Sequence, residues 1–140
     1  MRRAGAVLLA AAAASLAAAD VGGPALDYTL NCQGCHRADG AATQGSVPAL
    51  AGSVGKFLRV PGGREYLVRV PGVAQAPLDD AATAAVLNWM LKRFDAEHLP
   101  ADFVPYSAAE LGTLRRSPLI DVLTVRRRLL EALEKTDPGH

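Results

Sequence analysis

One pentapeptide constrains this 140-residue chain more than any other feature: Cys32-Gln33-Gly34-Cys35-His36. It has the C-x-x-C-H pattern that is typical of c-type haem attachment. Positions three and four apart in a helical turn share a face, so the two thiols and the imidazole are predicted to lie on one side of a short N-terminal helix. We expect Cys32 and Cys35 to form thioethers with the two vinyl groups of one haem, and His36 to bind its iron as an axial ligand.

Three other kinds of site use the same residue types. A thioredoxin-like redox site is disfavoured because no strand pattern precedes Cys32. A structural zinc site needs four ligands, and outside the pentapeptide the chain offers no cysteine and only His98 and His140 as histidines. A disulfide between Cys32 and Cys35 stays open as an alternative, although it leaves His36 without a role. Haem attachment uses all three side chains.

The N-terminal segment has the residue order of a secretory signal. Arg2 and Arg3 come first, an apolar run follows over 4–14, and small residues lead up to Ala19. We expect residues 1–19 to be cleaved and the mature protein to be exported, soluble and periplasmic. The apolar run is shorter than the roughly 18 to 20 residues of a spanning helix, so membrane association is expected only if the signal stays uncleaved.

The charge balance excludes one class of partner. Cleavage removes two of the 15 Lys and Arg residues, and the remaining 13 against 14 acidic residues give a net charge of −1. A chain that coats nucleic acid normally has a strong basic excess, so we expect no nucleic-acid partner. Half of the residues are hydrophobic, which is typical of a globular domain, but only 5% are aromatic. A large apolar cofactor would help to fill such a core.

Residues around the pentapeptide carry a family resemblance. Tyr28 stands four residues before Cys32, Gly40 and Gly45 follow His36, and the chain continues with Pro48-Ala49-Leu50-Ala51-Gly52. From about Leu26 to Phe94, this order resembles the class I c-type cytochrome family. The resemblance implies an all-α, cytochrome c-like haem domain over 20–96, one covalently attached haem c, and electron transfer without catalysis.

The resemblance also assigns a role to the proline of the P-x-L-x-G segment. In the family this carbonyl accepts a hydrogen bond from the free ring nitrogen of the axial histidine, which gives that role to Pro48. Such an acceptor fixes the orientation of the ring and makes its other nitrogen a better iron ligand. We therefore expect Pro48 to orient His36.

Two segments after this loop have helical patterns. Residues Gly63 to Val70 predict a short helix, and residues Asp79 to Phe94 predict a longer one in which Asp79 is the N-cap. The longer segment has one apolar stripe at helical spacing: Val86, Leu87, Met90, Leu91 and Phe94. The resemblance implies that this helix crosses the N-terminal one, with Trp89 as the aromatic residue at the crossing.

The sixth iron ligand of the family has no counterpart here. Family members place a methionine in the loop before the last helix, whereas loop 71–78 contains none. Four alternatives stay open: Met90 in the middle of the longer helix, His98 in a bis-histidine site, Gln75 in the loop, or an open or water-occupied position lined by the loop. The axial ligand and its access to solvent set both the reduction potential and the reactivity.

Residues 97–140 extend beyond a minimal haem domain, as a proline-bounded linker and a helical extension that we expect to pack on it. Phe103 and Tyr106 are expected to press onto the haem domain, and Ser107 to Glu110 match a capping box. Ser117-Pro118 predicts a further helix that runs to about Lys135. Its expected apolar side consists of Leu119, Val122, Leu123, Leu129, Leu130 and Leu133.

The arginine-rich segment 115–128 of this extension has two interpretations. It is a solvated helix face, or a docking patch for an acidic partner, since complementary charge speeds the encounter of redox proteins.

The expected function is single-electron shuttling between a periplasmic dehydrogenase and a downstream haem protein or oxidase. The alternative is a haem c protein with an open sixth site, acting as a ligand sensor or as the haem subunit of an oxidoreductase complex. The occupant of the sixth position distinguishes the two.

Overall fold

The computed structural model describes residues 22–45 and 47–136, and the predicted signal over 1–19 lies outside them. The described residues form an all-α fold, as predicted, whose only β feature is an isolated bridge between Thr43 and Val47. None of the described helices is long and apolar enough to cross a membrane. The α-helices are α1 (Pro24–Asn31), α2 (Gly63–Arg69), α3 (Pro71–Ala74), α4 (Asp80–Asp95), α5 (Ala108–Leu114) and α6 (Val122–Thr136), and 3-10 turns cover Gly55–Arg59 and Ala96–His98.

Helices α1 and α4 cross through an aromatic cluster. The ring of Tyr28 on α1 lies 5.3 Å from that of Trp89 and 5.2 Å from that of Phe94, between centroids. Trp89 and Phe94 meet edge to face at 5.6 Å. Tilted and edge-to-face pairs at such separations are favourable beyond the area that they bury. The prediction that Trp89 lies at this crossing is confirmed.

The loop after the pentapeptide is fixed against the end of α4. Gly40 has a positive φ of 74°, which disfavours any residue with a side chain. A Cβ at this position would come within 2.7 Å of the Phe94 ring, so the loop touches α4 here. The Gly52 amide also donates to the Phe94 carbonyl at 3.1 Å. Backbone contacts therefore hold residues 40–52 beside the aromatic cluster.

Helices α2 and α4 confirm the two predicted segments. The Asp79 carboxylate caps α4 by accepting a hydrogen bond from the Ala82 amide at 2.7 Å. The short helix α3 was not predicted, because its residues were interpreted as part of loop 71–78; Pro71 lies in its first turn, where the missing N–H costs nothing. These elements surround a core of Tyr28, Leu50, Val54, Phe57, Val60, Tyr66, Leu67, Val68, Ala84, Val86, Leu87, Met90, Leu91, Tyr106, Leu111 and Leu129.

Helix α5 begins at the predicted cap and packs against α2 and α4. Ser107 accepts a hydrogen bond from the Glu110 amide at 3.2 Å, but the Glu110 carboxylate binds Arg64 on α2 instead of completing the box. Tyr106 is buried, and its hydroxyl donates to the Arg64 carbonyl at 2.8 Å. Leu111 is fully buried. Side chains of the extension are therefore part of the core.

Helix α6 begins four residues later than predicted. The Asp121 carboxylate accepts a hydrogen bond from the Thr124 amide at 3.0 Å, so the helix starts at Val122 instead of Pro118. The prediction that Leu123 and Leu130 lie on its packed apolar side is wrong, since Leu123 is 79% and Leu130 38% exposed. The inward face consists of Val122, Val125, Leu129, Ala132 and Leu133.

Candidate haem site

The pentapeptide forms a turn immediately after α1. The Cys32 amide still donates to the Tyr28 carbonyl at 2.8 Å, and the amides of Cys35 and His36 both donate to the Cys32 carbonyl, at 3.1 and 2.9 Å. The prediction that the three side chains lie within the N-terminal helix is wrong, because the backbone leaves helical dihedral angles at Cys32 (φ −122°). A single tight turn nevertheless carries all three residues.

Both thiols are free, so the structure contains no disulfide between Cys32 and Cys35. Cys32 is half-buried and Cys35 is exposed. Burial, and then the neighbouring Asp27 carboxylate, raise the pKa of the Cys32 thiol. Thr43 fixes the far side of the turn, because its hydroxyl donates to the Cys35 carbonyl at 2.8 Å.

His36 has the environment of a neutral imidazole. Burial lowers the pKa of its ring, and the backbone carbonyl of Pro48 opposes that shift by interacting with the ring. The Pro48 contact falls short of full hydrogen-bond geometry at Nδ1, since this buried atom has no complete hydrogen bond to any described residue. A neutral imidazole is the form that binds a metal. Pro48 is thus near the ring that it is predicted to orient.

These residues fit a haem c. Two free thiols and a neutral, half-buried imidazole on one turn supply the two sulfurs and the one nitrogen that such a group requires. The aromatic cluster stands directly behind them, since Tyr28 binds both the Cys32 amide and, through its hydroxyl, the Arg37 carbonyl at 2.8 Å. The roles of Cys32, Cys35, His36 and Pro48 stay predictions.

The proposed sixth ligands lie in three different environments. Met90 is in the core on α4, with 6% of its surface exposed. His98 lies beside an acidic group: its Nδ1 is 2.5 Å from the buried Asp95 carboxylate, which also accepts a hydrogen bond from the Gly55 amide. Gln75 is exposed at the end of α3. The part of these residues in iron binding stays a prediction.

One polar centre of low exposure was not predicted. Arg115, interpreted from the sequence only as the start of the arginine-rich segment, has a side chain that is 14% exposed and contacts the segment between α3 and α4. A signal for it was present in the sequence. Arg115 follows Leu111 by four residues and therefore lies on the same face of α5 as this buried leucine.

Comparisons with known proteins identify the family of the chain. The chain is 34% identical over 118 residues to cytochrome c-552 of Thermus thermophilus, a match that covers 70% of this chain and 90% of that protein. A second cytochrome c-552, from the T. thermophilus strain ATCC 27634, has the same identity over 80% of its length. No protein-family model matches the chain. Identity at this level along nearly a whole relative, together with an all-α fold and a C-x-x-C-H turn, shows that the chain belongs to the class I c-type cytochrome family.

Proposed function

We propose that this protein carries single electrons on one haem c attached through Cys32 and Cys35, with His36 as the axial ligand. Proteins of its family are electron carriers and not enzymes. The observation that supports the proposal is the single turn that carries His36 and two cysteines with free thiols. When bound, haem c supplies an iron that cycles between the ferric and ferrous states.

The residues around the turn hold it in place and set the environment of His36. The contact between Gly40 and Phe94 and the aromatic cluster hold the turn against α4. Burial lowers the pKa of His36 and so favours its neutral form, and Pro48 lies near the ring that it is predicted to orient. A site that does not rearrange suits electron transfer, because the same geometry serves both oxidation states.

The proposed route is a periplasmic one, from a dehydrogenase to an oxidase or another haem protein. The signal-like residues 1–19 support export. Arg127 and Arg128 on α6 are exposed, which supports an encounter with acidic redox partners.

A second candidate function is the binding of a small ligand at the sixth iron position. The connection before α4 has no methionine, and Met90 packs in the core. These observations favour a position that water or an external ligand fills, as a sensor or an oxidoreductase subunit requires.

The first experiment tests covalent attachment. The protein is produced with a c-type haem maturation system and extracted with acidified organic solvent, and the haem that stays on the chain is measured. We expect the wild type and the control Gln33→Ala to keep their haem, and the double variant Cys32→Ala, Cys35→Ala to lose it. Free extraction of haem from the wild type would contradict the proposal.

A second experiment decides the sixth position. Methionine ligation gives the ferric protein a weak far-red charge-transfer band, which must disappear in Met90→Leu, a variant that keeps the volume of the side chain. Bis-histidine iron would lose its low-spin spectrum in His98→Ala. An open site is high-spin and binds cyanide or imidazole rapidly, with both variants unchanged. This last result would favour the second candidate function.

A further inference from the structure

Arg115 is the most connected polar side chain among the described residues. It directly follows α5, and its side chain is 14% exposed. Its guanidinium donates to five acceptors: the carbonyls of Ala74 (3.2 Å), Ala76 (2.7 Å) and Leu78 (2.9 Å), the Asp80 carboxylate (3.0 Å) and the Thr83 hydroxyl (3.1 Å), the last three of which share Nη1.

All five acceptors lie within one short stretch of chain. They begin at the end of α3, follow the connection over 75–79 and finish in the first turn of α4. Three of them are backbone carbonyls, so the hydrogen bonds fix the path of the main chain and not only its side chains. The planar guanidinium, with five donors at fixed angles, matches such a spread of acceptors.

Helix α5 approaches this stretch closely one turn earlier. A Cβ on Gly112 would overlap the Asp80 carboxylate, which is one of the acceptors of Arg115. Gly112 therefore permits the short distance that the guanidinium needs to reach the connection. The close approach of α5 and the hydrogen bonds of Arg115 act on the same segment.

We propose that Arg115 is a positioning residue that fixes the connection over 75–79 from outside, and with it the sixth-ligand side of the haem. The inference rests on the proposed function and on the sequence-based expectation that the loop over 71–78 lines the sixth iron position. No methionine in the connection is available to bind iron. The C-terminal extension thus fixes the connection over 75–79 without any bond to a metal.

The first test measures hydrogen exchange of individual amides. The amides of Gln75 and Ala76 donate to the carbonyls of Pro71 and Val73. In Arg115→Met we expect them to exchange about tenfold faster, the change that local opening produces when a set of hydrogen bonds is lost. Arg115→Lys should give an intermediate rate, because an ammonium has three donors at one point. Amides of α2 and of the second half of α4 should keep their protection.

Two matched controls separate this effect from a general weakening. Arg116→Met removes a neighbouring arginine whose side chain is exposed. Arg64→Met removes another arginine that joins the extension to the haem domain, through Glu110. We expect neither control variant to accelerate hydrogen exchange selectively at the amides of Gln75 and Ala76. Unchanged exchange at these amides in Arg115→Met, or faster exchange throughout the molecule, would overturn the proposal.

The second test uses the ferric holoprotein and imidazole. Arg115→Met should change the rate of imidazole association by about tenfold, in parallel with the local opening. Local opening with unchanged association and unchanged reduction potential would overturn the link to the haem. If Arg115→Met does not fold, Arg115→Lys decides by the same two measurements. A failure of covalent attachment contradicts the proposed function and the link to the haem, whereas the exchange experiment tests the hold of Arg115 on the connection without haem.

Discussion

The identity of a single residue decides whether two segments of backbone can pass close to each other. The closest approach of this kind is at Gly63. It opens α2 directly against the Phe57 carbonyl, where a Cβ would overlap backbone atoms that have no freedom to move aside. Gly72 in α3 has a similar position in its helix, but a Cβ there would meet nothing within 4 Å. The two glycines are therefore a matched pair.

We expect Gly63→Ala to lower the free energy of unfolding by about 1–3 kcal/mol, the usual cost of forcing atoms into a packed site. Gly72→Ala should raise it by about 0.4–1 kcal/mol, because alanine restricts the unfolded chain. Urea unfolding measures both. Equal effects of the two substitutions would show that the contact with Phe57 is not a constraint.

Tyr28 makes the stability of the protein depend on pH in the alkaline range. Burial, and then the charges of Cys32 and Asp39, raise the pKa of its phenol from 10.0 to about 12. The folded pKa is above the unfolded one, so this group stabilises the fold fully below pH 10 and ceases to do so as the pH rises through about 12.

Comparison with Tyr28→Phe tests this dependence. Below pH 10 the variant should be less stable by about 1 kcal/mol, because it lacks the hydrogen bond to the Arg37 carbonyl. Near pH 12 the difference in the free energy of unfolding should shrink, since only the wild type loses the stabilising proton. A difference that stays constant over this range would contradict the assignment.

At the scale of elements, the start of α6 depends on one carboxylate. Hydrogen bonds from the Thr124 backbone and side chain are the main cause of the lowered pKa of Asp121, whose ordinary value is 3.8. Because the folded pKa is below the unfolded one, the charged cap stabilises α6 above pH 3.8 and is lost as the pH falls through the folded value.

Asp121→Asn keeps an acceptor for the Thr124 amide but removes the charge. We expect the wild type to be the more stable protein near neutral pH, and this advantage to disappear in acid. Urea midpoints at both pH values give the measurement, and Asp102→Asn, on an exposed turn between α4 and α5, is the control. An advantage of the wild type that persists in acid would mean that charge plays no part in the cap.

The whole molecule is held together by residues from both halves of the chain. Leu111 of the extension is fully buried, whereas Leu123, also in the extension, is 79% exposed. Leu111→Ala should therefore lower the free energy of unfolding by about 2–5 kcal/mol, and Leu123→Ala should change it by no more than about 0.5 kcal/mol.

The same pair of variants shows whether the extension unfolds separately. Far-UV circular dichroism reports all helices, and the Soret absorbance reports the haem surroundings. In Leu111→Ala both transitions should shift together to lower urea concentration, as in one cooperative unit. A shift of the circular dichroism alone would show that the extension is an independent element.

Local signals predicted most of the elements but not the long-range contacts. The C-x-x-C-H pattern, the cap at Asp79 and the spacing of apolar residues in α4 are all encoded within a few neighbouring residues. The predicted start of α6 was wrong because both Ser117-Pro118 and Asp121 have residue types that cap helices. The helix uses Asp121. The hydrogen bonds of Arg115 were missed because its acceptors are mostly backbone carbonyls 37 to 41 residues away, which any residue type supplies.

The contacts of Arg64 lead to a prediction about homologous chains. It belongs to α2, yet its guanidinium binds the Glu110 carboxylate and the Val104 carbonyl and lies 4.0 Å from the ring centroid of Tyr106. A descendant that lost the extension would leave this cation without all three contacts. Positions 64, 106 and 110 are therefore expected to be inherited as a set, and homologous chains that end after α4 should have lost the arginine as well. Covariation of these three positions would then record when the extension was gained.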